Sequence, residues 1–138
     1  MTRYAFLNVG AYGHVNPTLA LAEELVARGA QVDYYLTEEF RDSIEATGAT
    51  FHAYQTPNFG PPIAMPNQQR DGMQQALIHM LRINTASLPE IIELLQAEPP
   101  DCLIYDFMSL PGLLAARILR VPPSNCDPAI CPIVTWPH

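Results

Sequence analysis

The stretch from Gly10 to Pro17, with the sequence GAYGHVNP, decides the fold of this chain. It follows a short apolar run at residues 4–9 and precedes an amphipathic run at residues 18–28. Asn16 is a residue type that caps helix N-termini, and the proline after it suits the first helical turn. The stretch therefore predicts a strand, a tight glycine turn and a helix, with His14 at the junction.

Strands and helices are predicted to alternate beyond this turn. Further strands are predicted at residues 31–37, 50–54 and 101–106, and further helices at about 37–46, 70–83, 88–97 and 109–119. A β-α-β-α-β order requires parallel pairing with right-handed crossovers. We therefore expect an α/β fold with a doubly wound, Rossmann-like parallel sheet in the strand order 3-2-1-4.

Length, charge and composition exclude several classes of protein. The chain has 138 residues, a formal net charge of −7 and no lysine, so it fits one domain and lacks the basic stripe of a nucleic-acid-binding protein. No apolar run is long enough for a secretory leader or a membrane span, so a cytoplasmic location with free thiols is expected. The spacing of Cys102, Cys126, Cys131 and His138 fits no zinc pattern, and no metal is expected.

A polar pair is predicted at one edge of the sheet. In the order 3-2-1-4 the first and fourth strands are neighbours, and ligands bind at the carboxyl ends of strands where the sheet changes direction. His14 follows the first strand and Asp106 ends the fourth, so a carboxylate could orient an imidazole that takes up a proton. The residues alone leave open a purely structural alternative, in which His14 caps a helix and Asp106 ends a strand.

The same turn allows a second functional interpretation. Gly10 and Gly13 before a helix could hold a phosphate, and Glu38 lies about where an acidic residue would meet a ribose. The full G-x-G-x-x-G pattern is absent, so nucleotide binding is the weaker hypothesis.

Apolar side chains after the third strand are candidates for a ligand pocket. The proline-rich stretch from residue 56 to 67 is predicted to be a loop, and its side chains between 59 and 65 suit a flat apolar ligand. In the helix that follows, Leu77 and Leu81 are first interpreted as core, and His79 as solvated.

The sequence GAYGHVNPTLALAEEL from Gly10 to Leu25 resembles the start of bacterial macrolide-type, UDP-sugar-dependent glycosyltransferases. Residues 51–56, 99–106 and 115–122 resemble the same family in the same order, so the resemblance covers about residues 4–122. It implies a two-domain GT-B fold, in which the N-terminal domain binds a hydrophobic hydroxylated acceptor, such as a flavonoid or a macrolide. The C-terminal domain would bind the nucleotide sugar.

The resemblance also implies roles for individual residues. His14 would be the general base that deprotonates the acceptor hydroxyl, and Asp106 would balance the charge of its imidazolium. The acceptor-binding residues would be Tyr12, Phe59, Ile63, Met65, Met73 and Leu77. Transfer would invert the anomeric carbon without a metal or cofactor, and the UDP-sugar would be a co-substrate.

Family members are about three times as long as this chain. We therefore expect an acceptor-binding domain at residues 1–122, an atypical tail at 123–138 and no donor domain. Prolines interrupt the tail where another strand is expected, and a truncated product and an altered reading frame both remain open. The isolated chain is expected to be inactive alone, with self-association through its unpaired apolar surface. The alternative is a stand-alone α/β binding module or an inactive fragment.

Overall fold

The computed structural model describes residues 2–8, 10–56, 69–106 and 109–121. Four parallel strands form one sheet in the order β3-β2-β1-β4, as predicted. The strands are β1 (Arg3–Leu7), β2 (Gln31–Leu36), β3 (Thr50–Ala53) and β4 (Cys102–Tyr105). The helices are α1 (Tyr12–Ala27), α2 (Arg41–Glu45), α3 (Gln69–Ala97) and α4 (Leu110–Leu119), with a 3-10 turn, Glu38–Phe40, before α2. The tail at 123–138 lies outside the described residues.

Both faces of the sheet are covered by helices, which explains why most strand residues are buried and apolar. On one face, Phe6 and Ile104 pack with Val15 of α1 and Ile44 of α2. On the other face, the strand side chains that point away from α1 and α2 pack with Ile91 and Leu95 of α3 and with Ala115 of α4. The C-terminal half of α3 and the whole of α4 are thereby held against the sheet.

Helix α1 begins earlier than the sequence predicts. Its N-cap is Ala11, whose carbonyl accepts the N–H groups of His14 and Val15 at 2.9 and 3.0 Å. The prediction that Asn16 caps the helix is wrong. Pro17 lies inside the helix rather than at its start. The fully buried Val15 side chain anchors the early start, so His14 lies in the first turn of the helix.

Helix α3 is one helix of 29 residues instead of the two predicted helices, and it continues through Pro89. A proline removes one backbone hydrogen bond, and burial of Ile91 and Leu95 holds the helix beyond it. The prediction that Leu77 and Leu81 belong to the core is wrong, because these side chains are 52% and 41% exposed. Helical spacing shows that apolar residues form a stripe along one side of a helix. It does not show whether another element covers that stripe.

Helix α4 lies unusually close to β4. Ser109 caps the helix by accepting the N–H of Gly112 at 3.3 Å, and Gly112 is buried against β4. A Cβ atom at Gly112 would lie 2.4 Å from Cβ of Tyr105, which is too close for any real contact. The missing side chain of Gly112 therefore sets the distance between α4 and the sheet.

We expect Gly112→Ala to lower the free energy of unfolding by about 1–3 kcal/mol, because the strand Cβ cannot move away without shifting β4. The matched control is Gly72→Ala in α3, where a Cβ would meet nothing within 4 Å. It should raise stability by about 0.5–1 kcal/mol. Urea unfolding followed by circular dichroism measures both, and equal midpoints for the two variants would contradict this account of the packing.

Candidate active site

His14 and Asp106 meet where β1 and β4 end. Leu7 pairs with Tyr105 in the sheet, and the N–H of Asp106 donates to the carbonyl of Leu7 at 3.3 Å. This backbone bond places the Asp106 carboxylate beside the first turn of α1. There, Nδ1 of His14 and Oδ2 of Asp106 form a hydrogen bond between residues 92 positions apart in the sequence. The structure thus brings together the two residues of the predicted pair, and their catalytic roles stay predictions.

The pair has a defined polarity. An ionised carboxylate only accepts hydrogen bonds, so in this pair Nδ1 of His14 is the donor and Nε2 is the ring nitrogen that does not contact Asp106. The Asp106 side chain is 10% exposed, whereas the His14 side chain is 28% exposed. Asp106 is therefore shielded from water while the imidazole remains accessible, which is the arrangement that a general base requires.

A buried polar network, which was not predicted from the sequence, lies beneath His14. Nδ2 of Asn8 lies 2.6 Å from the Tyr34 hydroxyl and 3.1 Å from Oγ1 of Thr18. The same nitrogen lies 3.5 Å from the carbonyl oxygen of His14. Burial raises the pKa of Tyr34 to about 12, so its hydroxyl stays protonated and available for hydrogen bonding. The available signal was a polar residue at the end of an apolar strand, directly before the glycine turn.

A cavity of about 310 Å³ opens at the same edge of the sheet, between the strand ends and α3. This volume is within the range of small-molecule sites. Gly10, which lies shortly before His14 in the sequence, and Ser109, which lies shortly after Asp106, contribute to the wall of the cavity. Its lining includes Asn8, Tyr54, Met80 and Ile83, together with the titratable residues Glu39 and His79. The described lining includes neither His14 nor Asp106, and the cavity adjoins the pair through the neighbouring residues Asn8, Gly10 and Ser109.

The predicted acceptor-binding residues fall into two groups. Phe59, Ile63 and Met65 lie outside the described residues, and nothing in the structure tests them. Tyr12, Met73 and Leu77 are described and are 61%, 76% and 52% exposed. The Tyr12 ring packs on the buried ring of Phe40 at a centroid distance of 4.9 Å.

The described lining of the cavity differs from the predicted set. Met80 and Ile83 of α3 line it, while Met73 and Leu77 are not among its lining residues. His79, expected to be solvated, is half-buried and contributes to the wall. The acceptor-binding roles of Tyr12, Met73 and Leu77 stay predictions.

The nucleotide-binding interpretation gains no support from Glu38. Its carboxylate pairs with the Arg41 guanidinium at 3.0 Å, and this hydrogen bonding lowers the pKa of Glu38. Both side chains are on the surface, and the cavity is lined by the next residue, Glu39. Glu38 is thus engaged in a local ion pair instead of facing the cavity.

A second polar cluster lies near the start of β1, away from His14. Asp33, His52 and Glu98 place their ligand atoms within 4.8 Å of one another, as a metal site would. However, Arg3 lies 3.0 Å from Oδ2 of the buried Asp33 and 3.1 Å from Oε2 of Glu98. Nε2 of His52 contacts the other oxygen of Asp33 at 2.8 Å. The guanidinium already supplies the positive charge, so the cluster is an ion-pair network of the fold.

Comparison with known proteins assigns the family. The sequence of residues 4–125 matches the family model for the glycosyltransferase family 28 N-terminal domain. The chain therefore belongs to this family. The chain is 40% identical over 121 residues to the NDP-glycosyltransferase YjiC of Bacillus subtilis (strain 168). The aligned residues cover 86% of this chain and 30% of that protein. It is 31% identical over 135 residues to the oleandomycin glycosyltransferase of Streptomyces antibioticus, covering 96% of this chain and 30% of the relative.

A solved structure supports the same assignment. The fold resembles that of CalG4, the calicheamicin glycosyltransferase, with a TM-score of 0.76 and 32% sequence identity over 88% of this chain and 31% of that one. The sequence-based expectation of a GT-B N-terminal domain is confirmed. The chain spans about a third of the length of these relatives. Among the described residues, no helix has the length and apolar character needed to cross a membrane.

We expect Arg3→Gln to lower the free energy of unfolding by about 3 kcal/mol, because it leaves the Asp33 carboxylate buried without its cation. Arg28→Gln removes the exposed pair with Glu24 and should cost less than about 0.5 kcal/mol. Urea unfolding with and without Zn²⁺ checks both effects. Strong stabilisation of the parent chain by Zn²⁺ would show that the cluster binds metal after all.

Proposed function

We propose that this chain is the acceptor-binding domain of an inverting, NDP-sugar-dependent glycosyltransferase, and that His14 and Asp106 are its catalytic pair. The observation that carries the proposal is the hydrogen bond between Nδ1 of His14 and the shielded Asp106 carboxylate. A ligand-sized cavity opens at the same edge of the sheet and is lined by the neighbouring residues Asn8, Gly10 and Ser109. Family membership supports the reaction class, because one relative is named an NDP-glycosyltransferase and another an oleandomycin glycosyltransferase.

The proposed reaction needs only a base and a positioned sugar nucleotide. Nε2 of His14 takes the proton of an acceptor hydroxyl, and the acceptor oxygen forms a bond to the anomeric carbon of the sugar. The bond from that carbon to the diphosphate breaks on the opposite face, and its electron pair leaves with the nucleoside diphosphate. Asp106 stabilises the imidazolium that forms, and the proton then passes to solvent. No metal or cofactor takes part in these steps.

The proposed acceptor is a small hydrophobic molecule with a hydroxyl group. Met80 and Ile83 provide an apolar wall, and Tyr54 provides a hydroxyl. Burial raises the pKa of Tyr54 to about 12, so this group remains a hydrogen-bond donor. The names of two relatives, an oleandomycin and a calicheamicin glycosyltransferase, support a natural-product acceptor. Tyr12 and the predicted loop residues Phe59, Ile63 and Met65 would complete the site.

The sugar nucleotide would bind mainly to the part of the longer relatives that this chain does not span. We propose accordingly that the chain transfers no sugar by itself, that it acts in the cytoplasm and that its exposed apolar residues favour self-association. The alternative is a stand-alone binding module or an inactive fragment in which His14 only supports the fold.

The catalytic roles can be tested in a chimera that joins this chain after residue 125 to the C-terminal part of the Bacillus YjiC protein. We expect His14→Ala and Asp106→Asn each to lower kcat by about 10²–10⁴-fold, because the first removes the base and the second its charge partner. Sugar transfer to a flavonol, followed by chromatography, measures both effects.

Asp101→Asn is the matched control for Asp106→Asn, because it makes the same change at the opposite end of β4. The Asp101 carboxylate accepts only the exposed backbone N–H of Arg3 among the bonds described for it, and the variant should keep the parent kcat. Equal turnover by the parent and His14→Ala would remove the catalytic role and favour the structural alternative.

Ligand binding by the isolated chain separates the acceptor hypothesis from the nucleotide hypothesis. A flavonol should bind weakly and saturably, with a Kd on the order of 1 mM, while UDP and NAD should not bind measurably. Ile83→Trp fills the cavity and should abolish flavonol binding. Thermal-shift titration measures all three ligands, and strong stabilisation by UDP would support the nucleotide interpretation instead.

A further inference from the structure

The first turn of α1, which carries His14, has little support from its own helix. The N-cap residue Ala11 makes no side-chain cap, and the turn contains no acidic residue. Gly13 lies in this turn, and a side chain there would contact nothing within 4 Å. Pro17 has no N–H, so the carbonyl of Gly13 lacks its usual partner within the helix. The position of His14 therefore depends on contacts from outside α1.

Asn8 supplies these contacts. Its Nδ2 lies 3.5 Å from the His14 carbonyl and 3.1 Å from Oγ1 of Thr18, one turn further along the helix. The Thr18 hydroxyl in turn donates to the Val15 carbonyl at 2.7 Å. Asn8 and Thr18 are 2% and 4% exposed, so water competes little with these bonds. The NH₂ group has two hydrogens, and its shorter contacts with Tyr34 and Thr18 engage both, so the 3.5 Å approach to the His14 carbonyl is the weakest of the three. The buried amide thus connects the end of β1 with the turn that carries His14 mainly through Thr18.

The same residue is linked to the other half of the pair. Asn8 directly follows Leu7, whose carbonyl accepts the N–H of Asp106. The backbone of β1 thereby holds Asp106, and the next side chain along it holds the turn of His14. The last residue of β1 and the residue that follows it therefore contact the two halves of the His14–Asp106 pair.

The acceptor atom of Asn8 argues against a role in stability alone. Its Oδ1 is buried and has no hydrogen-bond partner among the described residues. A buried acceptor without a partner opposes folding, and such features concentrate at functional sites. The presence of Asn8 at this position is therefore explained by the groups that its side-chain NH₂ orients.

We infer that Asn8 is a positioning residue, whose side-chain amide fixes the first turn of α1 so that Nδ1 of His14 faces Asp106. This inference rests on the proposed function of the pair, and Asn8 acts through His14. The amide orients the base in the unliganded chain, so its effect is measurable without sugar transfer.

The test is NMR of the full 138-residue chain, labelled with ¹⁵N, as the parent and as Asn8→Ala. The ring nitrogens of His14 report the tautomer, and the amides of His14 and Val15 report opening of the turn. We expect one dominant His14 tautomer in the parent and a mixture in Asn8→Ala. Hydrogen exchange at the two amides should accelerate on the order of tenfold more than exchange in β2.

Tyr34→Phe is the matched control. It removes the hydroxyl from the far side of the network but leaves the contacts of Asn8 with His14 and Thr18. It should therefore keep the parent tautomer, and any faster exchange should be shared by β2 and α1. Asn8→Ser keeps one donor and should lie between the parent and Asn8→Ala, and it supplies the comparison if the alanine variant does not fold.

An unchanged tautomer in Asn8→Ala and Asn8→Ser, with exchange accelerated equally in β2 and α1, would overturn the inference and leave Asn8 a purely structural residue. Failure of the proposed function gives a different result. Turnover by the chimera would then survive His14→Ala, whereas the ring spectrum of the isolated chain would still respond to Asn8.

Discussion

Strand β1 lies between β2 and β4, and the parallel register on its two sides places every group of the candidate site. Leu7 pairs with Tyr35 on one side and with Tyr105 on the other, so three strands end together at one edge. The carboxyl ends of parallel strands always share an edge, which lets residues remote in the sequence meet there. If β1 paired with β4 in another register, Asp106 would move away from the first turn of α1.

The two ends of β1 carry polar clusters with opposite electrostatic designs. Near its start, Arg3 pairs directly with the carboxylates of Asp33 and Glu98, so one cation of the protein is shared by two carboxylates. Near its end, the carboxylate of Asp106 faces an imidazole that is accessible from outside. The first arrangement ties the strands to the end of α3, while the second joins the end of β4 to the first turn of α1. His14 and His52 are similarly exposed, at 28% and 21%, and each contacts a largely buried aspartate. The two sites differ in that Arg3 also pairs with the aspartate of His52.

The long helix α3 serves the sheet and the cavity with different parts of its length. Its C-terminal half buries Ile91 and Leu95 against the strands, which fixes the direction of the whole helix. Met80 and Ile83, further toward the N-terminus, form the cavity wall. A single continuous helix transmits the rigidity of the core to this wall, which two helices separated at Pro89 would not do.

The sequence by itself determined the strand order, the glycine turn and the partnership of His14 with Asp106. These depend on local apolar runs, turn residues and the topological rules of parallel sheets, which a single chain displays directly. Only the tertiary structure decided where α1 begins, that α3 continues through Pro89 and that Leu77 and Leu81 are exposed. The network of Asn8, Thr18 and Tyr34 also became visible only there. Each of these features depends on which distant side chain packs or hydrogen-bonds at a given point, and periodicity along the sequence does not contain that information.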